Sequence, residues 1–308
     1  MAVSLQQLTK TYGDQHAIHN LSFDVPKGEI LGFLGPNGAG KTTTMKILTC
    51  FMPPNSGAAQ VAGFDISTHP QEVRKRVGYL PEHNPLYLDM YVHEFLEFTA
   101  QVYQLDKKTW QRRIPELIDM TGLGLEQHKK IGMLSKGYRQ RVGLSQALMH
   151  DPEVLILDEP TTGLDPNQIV DIRELIREVG KEKTVIFSSH ILSEVEAIAN
   201  RIIIINKGEI VADSEGQDLQ QMVGGTHQLH LEFATSGFDF STIKTLTSVT
   251  EIQSTGPNTF RVILSGSEDI RQQIFQEVVA QEHILLGMQQ EKFSLEDIFR
   301  KLTESTTA

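Results

Sequence analysis

The segment Gly35-Pro36-Asn37-Gly38-Ala39-Gly40-Lys41-Thr42 has the spacing of a loop that can wrap a phosphate chain. Its glycines let the backbone close in, so that several N–H groups point at one set of oxygens. Lys41 brings a point charge to β- and γ-phosphates, and Thr42, followed by Thr43, offers a hydroxyl to Mg2+. A second group of reactive side chains closes the run Val154-Leu155-Ile156-Leu157-Asp158-Glu159-Pro160. Asp158 is suited to hold Mg2+, directly or through water. Glu159 is suited to take a proton from an attacking water, a contribution of about 10²–10⁴ in rate. Each motif alone has an ordinary reading, as a glycine-rich turn or as a strand leaving the core. Their co-occurrence points to phosphate-chain binding and hydrolysis.

This chemistry requires elements that deliver both motifs to one edge. Glu29–Leu34 reads as a continuous apolar strand leading into the glycine-rich turn. A helix from about Lys41 to Cys50 follows, and its dipole places positive potential at the phosphates. Val154–Leu157 and Thr184–Phe187 are further all-apolar runs, as expected of parallel strands covered on both faces, with a helix over Ile169–Val179 between them. Ligands of such sheets bind at the carboxyl edge, where Asp158 and Glu159 would then sit. The short β-prone runs from Val3 to Val25, broken by Tyr12-Gly13-Asp14 and Pro26-Lys27-Gly28, predict an antiparallel β subdomain. Asn206-Lys207-Gly208-Glu209 closes a hairpin between Arg201–Ile205 and Glu209–Ala212. From about residue 82 to 150 the pattern turns helical, a subdomain inserted into the α/β core.

A linker is expected at 216–226, which divides the chain into a nucleotide domain over 1–220 and an accessory domain over 221–308. In the accessory domain His227–Ala234, Val249–Gln253, Thr259–Leu264 and Ile284–Gln289 read as strands, with helices at Ile243–Leu246 and Glu268–Gln281. That order, βαββαβ, is the ferredoxin-like split arrangement of a small α+β domain. A last helix is expected over Ser294–Leu302, capped by Ser294 with Asp297 three residues on. Such a sheet can dimerise, bind a small ligand or brace its neighbour, and dimerisation is the preferred reading.

Leu134-Ser135-Lys136-Gly137-Tyr138-Arg139-Gln140 resembles the signature segment of ABC ATPases, and it lies just upstream of Asp158-Glu159 as it does there. Ser135 and Gly137 match the family pattern, while Lys136 and Tyr138 depart from it. Gly163-Leu164-Asp165-Pro166 is similar to the family's D-loop, Ser188-Ser189-His190 to its switch-histidine segment, and Gly78-Tyr79-Leu80-Pro81-Glu82 to its Q-loop. The resemblance covers residues 1 to about 220. It implies a P-loop ATPase with ATP and Mg2+ as ligands, the metal held by Thr42, Asp158 and Glu82. It also implies Tyr12 stacked on adenine, His190 at the γ-phosphate, and Ser135 and Gly137 serving ATP held by a partner chain, with Asp165 crossing the interface. Two of these residues also have plainer readings, Ser135 as a helix cap and Tyr12 as a turn tyrosine. Glu82 replaces the usual glutamine, and an ionised carboxylate accepts but cannot donate.

Within the family, the chain is similar to the ATP-binding subunits of ABC-2 type exporters, whose usual ending resembles Ser294-Leu295-Glu296-Asp297-Ile298-Phe299. Leu80–Leu88, together with the signature segment through Arg141, is most like the gliding-motility-associated group. The resemblance implies a dimer, of two copies or of two related chains, beneath separate permease subunits. Asn84–Tyr91 is then either the permease-docking groove or helical-subdomain core. Rival readings are a soluble ABC ATPase acting on ribosomes or DNA, and an ATP-dependent regulatory protein.

Bulk properties narrow the field further. With a formal charge of −11 and pI near 5.5, the chain is a poor match for the phosphate backbone of nucleic acid. Its single cysteine, Cys50, excludes an intrachain disulfide and is expected to be a small buried apolar residue in a reducing compartment. Neither a signal peptide nor a membrane-length apolar run is evident, so the expected place is the cytoplasm, at the inner face of the membrane. His16 and His19 lie three apart near a turn and are read as without carboxylate company, a poor metal site. Lys129, Lys130, Lys136, Arg139 and Arg141 form a basic stretch that either attracts ATP or is a solvated face.

Overall fold

The computed structural model describes residues 1–215, 227–265 and 269–292. Two compact units divide the chain, Met1–Gly216 and Gln217–Ala308. The expected linker at 216–226, the start of a helix at Glu268 and the last helix over Ser294–Leu302 lie outside the described residues.

The chain opens with a hairpin of β1 (Val3–Tyr12) and β2 (Gln15–Val25), followed by β3 (Ile30–Leu34) and α1 (Lys41–Leu48). Helix α1 ends before the expected Cys50, because that residue turns the chain with φ 56°. Next come β4 (Ser56–Val61), β5 (Phe64–Asp65), α2 (Pro70–Arg74) and β6 (Val77–Leu80). Strands β1, β2, β4 and β5 make an antiparallel sheet in the order β2-β1-β4-β5. Its inward residues, among them Leu5, Leu8, Ile18, Leu21 and Phe23, pack with Phe33, Met45 and Ile203 in one apolar cluster. Each such burial stabilises the unit by about 1.5–3 kcal/mol.

A helical stretch follows, with α3 (Val92–Val102), α4 (Lys107–Met120), a 3-10 turn at Ile131–Met133 and α5 (Lys136–Leu148). The unit closes with β7 (Val154–Leu157), α6 (Pro166–Gly180), β8 (Thr184–Ser189), α7 (Leu192–Glu196), β9 (Arg201–Asn206) and β10 (Glu209–Glu215). Six strands form the central sheet in the order β10-β9-β3-β8-β7-β6. The pairs β3/β8, β3/β9, β7/β8 and β6/β7 are parallel, and β9/β10 is an antiparallel hairpin. Every residue of β3, β7 and β8 is buried, which is why these strands read as unbroken apolar runs.

Register decides what meets at the carboxyl edge. Leu34 pairs with Ser189, Leu157 with Phe187, and Leu80 with Leu157. The segments that begin at Gly35, Asp158, His190 and Pro81 therefore leave the sheet side by side.

In the second unit β11 (His227–Phe233), α8 (Ser241–Lys244), β12 (Val249–Ser254), β13 (Thr259–Leu264), α9 (Arg271–Ala280) and β14 (Leu285–Lys292) follow in that order. The four strands pair antiparallel in the order β12-β13-β11-β14. Leu229, Leu231 and Phe233 of β11 face Ile274 and Val278 of α9 across a separate apolar core.

Candidate active site

The glycine-rich loop is held by backbone contacts from the β9/β10 hairpin and from the end of β8. Gly208 donates its N–H to Ala39 O at 2.9 Å, and Gly35 donates to Ser189 O at 3.2 Å. Gly40 has φ 111°, and a Cβ there would lie 2.5 Å from Ala17 O, so the left-handed turn into α1 admits only glycine without displacement. Lys41, 6% exposed, folds back over the loop and donates from Nζ to Gly35 O at 2.7 Å and Pro36 O at 3.3 Å. The same Nζ lies 3.2 Å from Glu159 Oε1.

Glu159 turns off β7 with φ 49°, and its N–H donates to Ser188 Oγ at 2.9 Å. Its Oε2 lies 2.8 Å from His190 Nδ1 and accepts from Thr162 Oγ1 at 3.0 Å. Burial pushes this carboxyl up, but the Lys41 charge and the His190 bond outweigh burial and hold it below the usual range. Asp158 is fully buried, and its Oδ1 accepts from Ser188 Oγ at 2.7 Å. Burial raises its pKa, opposed by hydrogen bonds from Ser188 and Thr42 and reinforced by the charges of Glu82 and Glu159.

A cavity of about 440 Å3 is bounded by Tyr12, Asn37, Gly38, Gly40, Lys41, Thr42, Thr43, Glu82, Glu159 and His190. Gly35 and Pro36 lie beneath Lys41, and Ala39 anchors the loop to the hairpin. Asp158 borders an adjoining cavity of about 800 Å3 that shares Thr42 and Glu82. Tyr12 stands half exposed, with its hydroxyl 3.0 Å from Met52 Sδ.

Three further expected residues, Ser135, Gly137 and Asp165, border neither cavity. Ser135 caps α5 by accepting from Tyr138 N–H at 3.4 Å, and Asp165 caps α6 by accepting from Gln168 N–H at 3.0 Å. Gly137 packs on Gln168, where a Cβ would lie 2.5 Å from the side chain, so these three gather at the adjacent starts of α5 and α6.

Asp158 Oδ2 is buried without a hydrogen-bond partner, an arrangement suited to a cation. Among the described residues no three His, Cys, Asp or Glu converge on one point. The Thr42 hydroxyl and the Asp158 carboxylate, which border one cavity, suit Mg2+, which takes one or two protein oxygens and completes its shell with phosphate and water.

The structure corrects several expectations from sequence. His19 does have a carboxylate neighbour, Glu209 at 2.8 Å, brought near where His19 N–H donates to Gly208 O in the turn of the β9/β10 hairpin. Cys50 is half-buried rather than buried, its Sγ 3.5 Å from Ile66 O, and desolvation raises its thiol pKa. Much of the basic stretch is occupied: Arg139 donates to Ile131 O and Gly132 O, Arg141 to Thr121 O and Asp171, and Lys129 pairs with Glu126. Sequence reasoning missed Thr161, Thr162 and Glu194, and assigned no role to the Ser188 hydroxyl. For Thr161 and Thr162 the available signal was their place just after Glu159 in sequence.

Fold and site together define a P-loop ATPase. The family model for the ABC transporter matches residues 18–162, and an AAA-domain model matches residues 130–196. The linearmycin resistance ATP-binding protein LnrL of Bacillus subtilis (strain 168) is 32% identical over 306 residues, covering 98% of both chains. The bacitracin transport ATP-binding protein BcrA of Bacillus licheniformis is 37% identical over 76% of this chain and 75% of its own. A solved ATP-binding subunit of an ABC transporter, 30% identical, superposes with a TM-score of 0.66 over 73% of this chain and 94% of that one. The ATP-binding cassette MJ0796, solved as a dimer with ADP and Pi, is 25% identical with a TM-score of 0.63 over 69% of this chain and 98% of its own. The chain belongs to the ABC transporter ATP-binding proteins, and it is an ATPase subunit of a membrane transporter. Among the described residues no helix is long and apolar enough to cross a membrane.

Proposed function

We propose that this chain powers an ABC-2 type exporter of the gliding-motility-associated group, coupling closure of an ATP-bound dimer to a separate permease. The observation that carries the hydrolytic part is the Lys41–Glu159–His190 chain lining the cavity, with Glu159 3.2 Å from Lys41 and 2.8 Å from His190. Phosphate oxygens compete with Glu159 for Lys41. Once Lys41 turns to phosphate, the carboxylate is left to accept a proton from water, while His190 keeps it oriented. Thr42 and Asp158 would hold Mg2+, with Glu82 as a further oxygen, and the bound ion would supply positive charge to the β- and γ-phosphates. Tyr12 would receive the adenine, and the backbone from Gly35 to Thr43 the phosphates.

Ser135, Gly137 and Asp165 lie away from their own chain's cavity, which supports their service to a partner chain. The exporter reading is supported by the relation to the linearmycin resistance protein, which extends over the accessory domain as well. We assign the nucleotide domain to residues 1–220 and a ferredoxin-like accessory domain to 221–308, for dimerisation. The exposed Tyr87, Leu88 and Tyr91 offer the permease an apolar landing surface on the helical subdomain.

The test is a pull-down of tagged Glu159→Gln chain from solubilised native membranes with ATP and Mg2+. Recovery of a polytopic protein with the sequence features of an ABC-2 permease is expected. Recovery of ribosomes, or of no membrane protein, would overturn the ABC-2 exporter assignment. Purified Glu159→Gln chain is expected to bind ATP and to hydrolyse it at least ~10²-fold more slowly.

A further inference from the structure

Two segments that carry the site are tied together by a side chain to which none of the roles above is given. Glu194, on α7, is 5% exposed, and its Oε2 accepts from Thr161 Oγ1 at 2.6 Å and from Ser189 Oγ at 2.9 Å. Thr161 comes two residues after Glu159, and Ser189 immediately precedes His190. Thr161 and Ser189 are themselves buried, at 5% and 1% exposure. Among the described residues Glu194 has no ion pair, so its carboxylate is satisfied by hydroxyls. Packing alone does not account for such a group, because an apolar side chain of similar size avoids the desolvation cost.

What the bridge spans supplies the reason. Glu159 holds a left-handed backbone at φ 49°, a conformation that persists only where its surroundings over-determine it. Ser188 secures one side of the turn, accepting from Glu159 N–H at 2.9 Å and donating to Asp158 Oδ1 at 2.7 Å. The Thr161–Glu194–Ser189 bridge secures the other, and the 2.8 Å contact of His190 with Glu159 closes the ring.

We propose that Glu194 is a positioning residue for ATP hydrolysis, clamping the segment after β7 to the end of β8 so that Glu159 and His190 stay in register. The proposal rests on the reading of Glu159 and His190 as the hydrolytic pair. A clamp outside the reacting atoms acts on turnover and leaves ATP affinity nearly unchanged.

Steady-state ATPase kinetics of the purified full chain, with ATP binding measured separately, test this. Glu194→Leu is expected to lower kcat by roughly 10–100-fold, while KM and the Kd for ATP stay within about 3-fold. Glu194→Gln keeps an oxygen that both hydroxyls can reach and is expected to stay within about 3-fold of the parent kcat. The pair Thr161→Val and Ser189→Ala should reproduce the Glu194→Leu loss, and adding Glu194→Leu to that pair should cost little more, since the three act as one unit. That hydroxyl pair carries the test should Glu194→Leu not fold. An unchanged kcat in Glu194→Leu, a parallel loss of ATP binding, or a Gln variant as poor as Leu would each overturn the clamp. Glu159→Gln is run beside them. If it is inactive while Glu194→Leu turns over normally, the clamp alone is wrong; if it is fully active, the hydrolytic pair itself is wrong.

Discussion

Lys41 and Glu159 are 6% and 7% exposed at their side chains and neutralise each other across 3.2 Å. Truncating one partner of such a pair leaves the other charge buried, so Lys41→Met is expected to abolish ATP binding and to cost about 3 kcal/mol of stability. The Glu159 carboxyl titrates below its ordinary 4.5 in the fold, so its stabilising contribution is present above that value and lost as pH falls through the depressed pKa. Urea unfolding should therefore show the Lys41→Met deficit at pH 7 and a smaller one well below pH 4.5. Gly40→Ala is expected to weaken nucleotide binding and cost about 1–3 kcal/mol, because φ 111° and the approach of Ala17 O leave no room for a methyl. At this scale the residues with chemistry were legible, because phosphate binding demands particular types at fixed spacings. Ser188 and Glu194 were not, because a serine and a glutamate at ordinary positions carry no pattern. Their role depends on which strands become neighbours.

At the level of elements, unbroken apolar runs were the clearest text. Val154–Leu157 was placed by its residues alone, since a strand covered on both faces needs no alternation. Strand β6 escaped notice, its four residues interrupted by Gly78, and so did α2, a helix of five residues. The end of α5 is fixed by His150, which stacks on Tyr103 at 3.9 Å and donates from Nε2 to Val77 O at 3.1 Å, joining α3, α5 and β6. Burial drives its pKa down from 6.5 to about 4, so the imidazole is neutral in the fold. Its contribution is complete above pH 6.5 and is lost as pH falls toward about 4. Between those limits the parent is expected to lose about 2 kcal/mol relative to a His150→Gln variant, read from thermal melts across the pH series.

For the whole molecule, the separation of Ser135 and Gly137 from their own chain's cavity makes a mixing experiment decisive. Lys41→Ala and Gly137→Asp chains should each be inactive as homodimers. In an equimolar mixture that exchanges subunits, the mixed dimer keeps one complete composite site, and about a quarter of the parent activity is expected under a two-fold symmetric arrangement. Activity no higher than either variant alone would show that each cavity works with its own chain's residues only. The pairing of His19 with Glu209 was not legible, as nothing local announces a contact between residues so far apart.

The bond from Gly208 N–H to Ala39 O, and the place of β3 between β8 and β9, also bear on the order in which the chain is made. Gly35–Thr42 leaves the ribosome early, yet both strands that flank β3, and the hairpin that braces its loop, are encoded well over a hundred residues later. Non-local pairing of this kind delays folding until the distant partner exists. During synthesis the motif is therefore present long before the pocket is, and a growing chain acquires its grip on nucleotide only as the first unit is completed.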